Sequence, residues 1–109
     1  PRSGIVATAV RLLEAHYTED VSLTWMADRL SVSPAYLSRL FRGETGCAFK
    51  EYLTGLKMER AQELLLTTTL SIAEIAERVG YNNPKQFSSM FSKRKGQTPL
   101  EYRRGHFHD

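Results

Sequence analysis

Apolar residues recur along the chain at intervals of three and four, which is the spacing of an amphipathic helix. Residues 22–30 show the pattern most clearly, 71–79 repeat it, and 49–66 carry it over the longest stretch. No segment alternates between apolar and polar residues over a useful length, so the sequence predicts helices and no strands. The predicted inward-facing residues are Val6, Val10, Leu13, Tyr17, Leu23, Met26, Ala27, Leu30, Leu37, Leu40, Phe41, Phe49, Tyr52, Leu53, Leu56, Ala61, Leu64, Leu65, Ile72, Ile75, Ala76, Val79, Phe87, Met90 and Phe91.

The two halves of the chain resemble each other. The segment SLTWMADRL at 22–30 aligns with SIAEIAERV at 71–79, and 37–52 align with 87–102 after one inserted residue. A repeat of this length indicates a duplicated supersecondary unit. Only a tight turn of three or four residues separates the helices of each unit, which is typical of a helix-turn-helix motif. A plain helical hairpin without a ligand is the alternative.

Residues that begin and end helices stand between the apolar stretches. Ser33 and Asn83 each precede a proline, an order that places a capping side chain before the first helical residue. Gly80 is expected to end one helix in the left-handed conformation, and Gly46 and Gly96 each follow a helix end. The first turn has Ser31 in place of Gly80, so the same conformation would be mildly strained there.

The predicted fold is all-α, with seven helices arranged as two helix-turn-helix subdomains joined by a long central helix, a homeodomain-like tandem. We expect the first subdomain at 1–47, the connecting helix at 48–67 and the second subdomain at 68–109. The last helix should lie near 99–104, beginning at a proline that follows a capping threonine.

The second helix of each unit has an outward face without carboxylates. When the apolar residues face inward, the opposite face has only small, hydroxylic or cationic side chains, spaced as neighbours on one helical surface. These acid-free faces consist of Ala35, Ser38, Arg39 and Arg42 in the first unit and Lys85, Ser88, Ser89 and Ser92 in the second. Ordinary solvated helices mix charges of both signs, as 22–30 and 71–79 do. The local absence of acid therefore indicates a surface that approaches a polyanion.

Small side chains would let these helices enter the roughly 12 Å wide major groove of duplex DNA. Arg39 is long and forked enough to bind O6 and N7 of one guanine, while the serines and Gln86 can exchange hydrogen bonds with bases. Arg42 and the basic run 93–95 lie toward the helix ends, where phosphates would pass. We expect an asymmetric DNA site. The first unit should recognise most of its bases, and the second should bind mainly its phosphates. The candidate DNA-binding residues are Ser33, Ala35, Tyr36, Ser38, Arg39, Arg42, Asn83, Lys85, Gln86, Ser88, Ser89, Ser92 and Lys93.

The composition agrees with this interpretation. The formal net charge is +3 and the sequence pI is about 9.2, a balance that favours an anionic partner. Cys47 is the only cysteine, so no internal disulfide can form and a reducing cytoplasm is expected. No apolar run reaches the ~18–20 residues that span a bilayer, so we expect no membrane partner. The chain does not begin with methionine, and we expect it to be part of a longer protein.

Together these motifs resemble the C-terminal DNA-binding domain of the AraC/XylS family of bacterial transcription regulators. The segment SIAEIAERVGYNNPKQFSSMFSKRKGQTPLEYR is similar to the family's second helix-turn-helix and its final Gly-x-Thr-Pro-x-x-Tyr-Arg run. The family's first helix-turn-helix is similar to SVSPAYLSRLFRGETG, and its connecting helix is similar to FKEYLTGLKMERAQELL. The resemblance extends from about Ile5 to Arg103, and AYLSRLFRGETG is most similar to members linked to response regulators.

The resemblance implies a transcription factor with two recognition helices in successive major grooves on one duplex face. It also implies a further N-terminal domain that senses an effector, dimerises or receives a phosphoryl group. We expect the isolated domain to be a monomer and the full-length protein to be able to dimerise through that domain, with RNA polymerase as a candidate partner. Family members often have an arginine at the position of Ser89 and an aromatic residue at that of Gln86, so this sequence weakens the case for base reading by the second unit.

No enzyme activity, cofactor or metal is expected. The sequence has no glycine-rich phosphate loop and no evident pair of catalytic carboxylates. His106, His108 and Asp109 have weak metal-binding potential, but a frayed tail is the simpler interpretation. Cys47 has no neighbouring histidine in sequence and is expected to be a structural thiol.

Two rival functions of other classes stay open. A protein-interaction module would dock through the apolar residues Leu65, Leu66 and Leu70. RNA binding has less support, because exposed aromatic residues for base stacking are sparse. Binding to duplex DNA should weaken steeply as salt is added, because counterions are displaced, whereas apolar docking should not.

Overall fold

The computed structural model describes residues 4–107, and every regular element within that range is a helix. The helices are α1 (Gly4–His16), α2 (Leu23–Arg29), α3 (Pro34–Thr45), α4 (Phe49–Thr67), α5 (Ile72–Arg78), α6 (Pro84–Lys95) and α7 (Pro99–Phe107). The predicted all-α fold with two helix-turn-helix motifs, α2–α3 and α5–α6, is confirmed. The last helix continues beyond the predicted end near residue 104.

Helices α3 and α6 begin at the residues that the capping pattern predicted. The Ser33 hydroxyl accepts a hydrogen bond from the Tyr36 amide at 3.1 Å. The Asn83 side-chain oxygen accepts from the amides of Lys85 and Gln86 at 2.8 and 3.3 Å. A proline follows each cap, at a position where its missing N–H is not needed. The start of each helix is therefore fixed by side chains of the sequence itself.

Helix α5 begins with a reciprocal capping box. The Ser71 hydroxyl accepts from the Glu74 amide at 3.1 Å, and the Glu74 carboxylate accepts from the Ser71 amide at 2.8 Å. The hydrogen bond from the Ser71 backbone, and then that from its side chain, hold the pKa of Glu74 below its ordinary value. The resulting stabilisation is present above the unfolded-state pKa and is lost as the pH falls through the lowered folded-state pKa. Thr98 and Glu101 form the same pair of hydrogen bonds, at 3.0 and 2.8 Å, before and within α7.

The turns of the two helix-turn-helix motifs have the same backbone geometry. The amides of Val32 and Tyr81 donate back into the preceding helices at 3.0 and 2.9 Å. One residue in each turn is left-handed: Ser31 with φ 57° and Gly80 with φ 93°. Ser31 is the sole non-glycine residue with a positive φ between residues 4 and 107, so the first turn has the left-handed residue that is expected to be strained for serine.

Each helix-turn-helix motif belongs to its own hydrophobic core. Packing divides the chain into two compact units after Leu56, which lies within α4. The buried residues are Val6, Ala9, Val10, Leu13, Val21, Met26, Ala27, Leu37, Phe41, Phe49 and Leu53 in the first core and Met58, Ala61, Leu64, Leu65, Ile75, Ala76, Val79, Phe87 and Phe91 in the second. Helix α4 therefore serves the first core up to Leu53 and the second from Met58. The three-part division with boundaries after residues 47 and 67 stays a prediction.

The packing shows that the internal repeat also includes the first helix of each unit, which the alignment of the two halves of the sequence did not detect. Helix α1 and the second half of α4 bury residues at the same i, i+3, i+7 spacing. These residues are Val6, Ala9 and Leu13 in α1 and Met58, Ala61 and Leu65 in α4. Each unit thus consists of an entry helix, a helix-turn-helix motif and a following helix. The comparison missed the entry helices because their sequences share little besides this spacing.

An edge-on aromatic contact joins the second helix of each motif to the helix that follows it. The Phe41 ring on α3 lies 5.4 Å from the Tyr52 ring on α4, and the Phe91 ring on α6 lies 5.6 Å from the Tyr102 ring on α7, between centroids. Both phenylalanines are fully buried. Such pairs favour edge-to-face geometry and add to the hydrophobic gain of burial. The inward faces of α3 and α6 are therefore anchored in the same way.

The Arg103 side chain ties α7 to the end of α4. Its guanidinium donates to the backbone carbonyls of Leu65, Thr68 and Leu70 at 3.0, 3.1 and 2.6 Å. Carbonyls in the last turn of a helix and just beyond it have no helical partner of their own. Arg103 therefore replaces water as the donor to the end of α4.

Replacing Ser31 with glycine should stabilise the first unit by about 0.5–1 kcal/mol. The change removes the steric cost of a Cβ in the left-handed conformation, and the greater freedom of glycine in the unfolded chain offsets part of that gain. Ser31→Ala keeps the Cβ and is the matched control, which should gain nothing. The midpoint of urea unfolding measures both variants. A lower midpoint for Ser31→Gly than for wild type would contradict the strain at this turn.

Replacing Arg103 with methionine should lower the free energy of unfolding by about 2–4 kcal/mol. The methionine keeps much of the apolar stem but leaves three carbonyls without a charged donor. Arg104→Met, at the exposed neighbouring position, should cost less than about 0.5 kcal/mol. Urea unfolding followed by circular dichroism compares the two. Equal losses would mean that the hydrogen bonds of Arg103 do not stabilise the end of α4.

Candidate nucleic-acid interface

The acid-free face of α3 is exposed to solvent. Leu37 and Phe41 are fully buried, and the four predicted residues on the other side of the helix, Ala35, Ser38, Arg39 and Arg42, are all exposed. The acidic residue of α3, Glu44, is half-buried and lies about two and a half turns after Ala35, so it is on the opposite side of the helix. The outward face of α3 therefore presents two guanidinium groups among small side chains and no carboxylate.

The acid-free face of α6 is less open than that of α3. Lys85 and Ser89 are exposed, whereas Ser88 and Ser92 are half-buried. The Ser92 hydroxyl donates to the Ser88 carbonyl at 2.8 Å, so its proton is used within the helix. Ser92 has only its oxygen lone pairs to offer an outside donor. This face is therefore poorer in hydrogen-bond donors than the sequence pattern suggested.

The other candidate residues lie at the ends of these two helices. Ser33 and Asn83 are exposed, but their side-chain oxygens are already used as caps. Ser33 keeps its hydroxyl proton and Asn83 its amide NH2 group as donors. Tyr36 and Gln86 are exposed in the first turns of α3 and α6, and Lys93 is exposed near the end of α6. All the candidate residues thus lie on α3, on α6 or at their caps, and the structure brings together those of each unit.

Positive charge is concentrated in the last turn of α6. Lys93 and Arg94 are exposed and Lys95 is half-buried. The side-chain hydrogen bond between His16 and Glu19 and the ion pair Arg60–Glu63 lie outside α3 and α6. Cations near a helix C-terminus are stabilised by its dipole, and here they also form a basic patch.

Lys57 supports the turn before α6, a role that sequence reasoning missed. Its ammonium lies 5.1 Å from the centre of the Tyr81 ring and 3.5 Å from the Gly80 carbonyl oxygen. The Tyr81 ring also packs on Phe87, at 5.7 Å between centroids. Burial raises the pKa of the Tyr81 phenol, and the charge of Arg94 partly offsets this effect. A lysine inside a long helical pattern gives no sequence signal for such a contact.

Comparison with known proteins identifies the family. A family model described as a helix-turn-helix domain matches residues 26–105. The YesN transcriptional regulatory protein of Bacillus subtilis is 39% identical over 106 residues, a match that covers 94% of this chain and 29% of YesN. This chain belongs to the AraC-type helix-turn-helix family.

Solved structures of similar proteins agree with this AraC-type assignment. The C-terminal domain of AraT, a response regulator from Geobacillus stearothermophilus, has a TM-score of 0.93 and 46% identity, over 94% of this chain and 86% of that one. The DNA-binding domain of AdpA, solved in complex with a target DNA, has a TM-score of 0.89 and 29% identity, over 98% of this chain and 99% of that one. The chain spans about a third or less of the length of the curated relatives it matches first, 29% and 34% for two of them.

The rival hypothesis of a protein-interaction module predicted an apolar docking patch. Only part of that patch is accessible to solvent in this AraC-type domain. Leu65 was predicted as part of the patch, but it is fully buried in the second core. Leu66 and Leu70 are half-buried and line a surface depression with the threonines at 67–69 and Arg78. The patch therefore consists of two half-buried leucines bordered by hydroxyl groups.

The described part of the AraC-type domain contains no group of three or more His, Cys, Asp or Glu residues arranged to hold a metal ion. His106 is exposed and its Nδ1 donates to the Tyr102 carbonyl at 2.8 Å, whereas His108 and Asp109 lie outside the described residues. Cys47 is half-buried, and its amide donates to the Thr45 hydroxyl at 3.3 Å. None of the helices in residues 4–107 is both long and apolar enough to cross a membrane.

Proposed function

We propose that this domain binds duplex DNA sequence-specifically, as the DNA-binding part of a bacterial transcription regulator, with α3 and α6 as recognition helices in successive major grooves. The observation that carries the proposal is the exposed, acid-free face of α3, held on the core by Phe41 on its other side. The family membership supports it, as does the similar fold of the AdpA domain, which was solved with a target DNA. Relatives named as regulators favour this role over an enzyme.

The side chains of α3 suit direct reading of bases. Ala35 and Ser38 are small enough for the helix backbone to approach the floor of a groove about 12 Å wide. Arg39 lies one turn along the same face, where its guanidinium can bind O6 and N7 of a guanine. Arg42 lies a further turn along and toward the end of the helix, where the phosphate backbone would pass.

Helix α6 is better suited to binding phosphates than to reading bases. Its exposed face has no arginine before the basic run in its last turn, and the proton of Ser92 is already used. Lys85 at the start of the helix and Lys93 near its end can each neutralise a phosphate. We therefore propose an asymmetric site, in which the first unit contributes most of the sequence preference and the second mainly affinity.

The rest of the regulator completes this function. Because the chain spans only part of its relatives, we propose that a further N-terminal domain senses an effector, dimerises or receives a phosphoryl group. The isolated domain would bind as a monomer and the full-length protein as a monomer or dimer, according to that domain. DNA binding of this kind fits a cytoplasmic protein with a single cysteine, and RNA polymerase is a proposed partner at the promoter.

The Arg39→Ala variant should lose sequence preference. Duplexes selected from a random pool by the 109-residue chain provide the specific site. The variant should bind that site roughly 5- to 100-fold more weakly, because it loses a bidentate guanine contact, while its affinity for random duplexes changes little. Fluorescence anisotropy on both kinds of duplex measures the ratio.

The control for this experiment is Lys93→Ala. It should weaken specific and random binding alike, and it should reduce the slope of log affinity against log salt by about 1. If Arg39→Ala also weakens both kinds of duplex equally, Arg39 contacts only phosphate. A wild-type chain whose binding is insensitive to salt would favour the rival apolar docking function.

A further inference from the structure

Tyr36 is an exposed aromatic residue in the first turn of α3. Its relative exposure is 42%, and within the described residues only Leu100, at 43%, is an equally exposed large hydrophobic residue. The other tyrosines of the helix-turn-helix motifs and following helices are half-buried against phenylalanine rings, as Tyr52 is against Phe41 and Tyr102 against Phe91. The exposed ring of Tyr36 is therefore available to contact a ligand.

The position of Tyr36 next to Arg39 points to that ligand. The two residues are separated by three positions on α3, so their side chains are neighbours on the helix surface. The Tyr36 amide donates to the Ser33 cap, which fixes the residue in the first turn. The N-terminal residues of a recognition helix are those that reach base edges in the major groove. Tyr36 therefore lies at the N-terminal end of α3, the end that would contact base edges.

The chemistry of the groove selects the contact that Tyr36 can make. The major groove offers hydrogen-bonding groups on every base pair, but its one apolar group is the C5 methyl of thymine. The phenol hydroxyl can donate a hydrogen bond to a base or a phosphate, whereas the apolar face of the ring gains free energy only by covering an apolar group such as that methyl. An arginine beside it would read a guanine on a neighbouring base pair.

We propose that Tyr36 packs against the C5 methyl of a thymine beside the guanine read by Arg39, so that α3 recognises a guanine–thymine combination. This inference rests on the proposed DNA-binding function and adds a second specificity-determining residue to it. In the second unit the corresponding position is Gln86, an exposed amide that suits an adenine edge. The requirement for a thymine methyl should therefore be confined to the half of the site bound by the first unit.

Thymine-to-deoxyuridine exchange tests the contact without changing the protein. In the duplex selected by the wild-type chain, each thymine is replaced in turn by deoxyuridine, which differs from it by the methyl group alone. One replacement, next to the guanine on which Arg39→Ala loses its preference, should weaken binding about fourfold, the factor expected for one buried methyl group. Replacements in the other half of the site should change affinity less than twofold.

Protein variants assign the methyl contact to Tyr36. Tyr36→Ala should bind the thymine and deoxyuridine duplexes equally, whereas Tyr36→Phe, which loses only the hydroxyl, should keep the fourfold difference. Leu100→Ala is the matched control, because it removes an equally exposed apolar side chain on α7, and it should also keep the difference. Urea unfolding of the variants confirms that each is folded, as expected for changes at exposed positions.

Each other outcome has a distinct meaning. A methyl effect that survives in Tyr36→Ala, or is lost in Tyr36→Phe, overturns the proposed contact. So does a wild-type chain that selects a guanine through Arg39 but responds to no deoxyuridine replacement. Failure of the underlying function would be seen earlier, as a wild-type chain that selects no sequence from the random pool.

Discussion

The burial of one phenylalanine on each second helix is the constraint on which the rest of this structure depends. Phe41 and Phe91 hold the inward faces of α3 and α6 on their cores and against the rings of Tyr52 and Tyr102. A helix anchored through one side leaves its other side to solvent, and its composition there is then set by function rather than by packing. Because this anchoring keeps the outward faces in solvent, their lack of carboxylates indicates a surface suited to an anionic partner.

The two units share a scaffold but have diverged on the proposed DNA-binding faces of α3 and α6. The caps, the left-handed turn residue and the phenylalanine–tyrosine contact occur in both. The acid-free face of α3 has two exposed arginines, while that of α6 has an exposed lysine and a serine whose proton is used within the helix. The first turn tolerates a strained Ser31, whereas the second relieves the strain with glycine and adds support from Lys57. Divergence of this kind suits a protein that reads two unequal halves of one DNA site.

The sequence predicted those features that depend on local rules. Helix starts followed from Ser33 and Asn83, because a capping side chain acts on amides only two or three residues away. The outward position of Arg39 followed from helical periodicity alone. Contacts between distant segments were not predictable, since the three carbonyls bound by Arg103 and the aromatic ring under Lys57 become neighbours only in the folded chain. Leu65 was assigned both to the core and to a docking patch, because periodicity cannot measure how completely a neighbouring helix covers a side chain.

Methylation protection of the selected duplex by dimethyl sulfate tests the central claim most directly, because this reagent attacks guanine N7 in the major groove and adenine N3 in the minor groove. If α3 and α6 enter successive major grooves, the bound chain should protect guanine N7 atoms in two segments about one helical turn apart. Adenine N3 atoms between those segments should stay reactive. Protection confined to adenine N3, or unchanged reactivity at every guanine N7 of a fully bound duplex, would contradict the account.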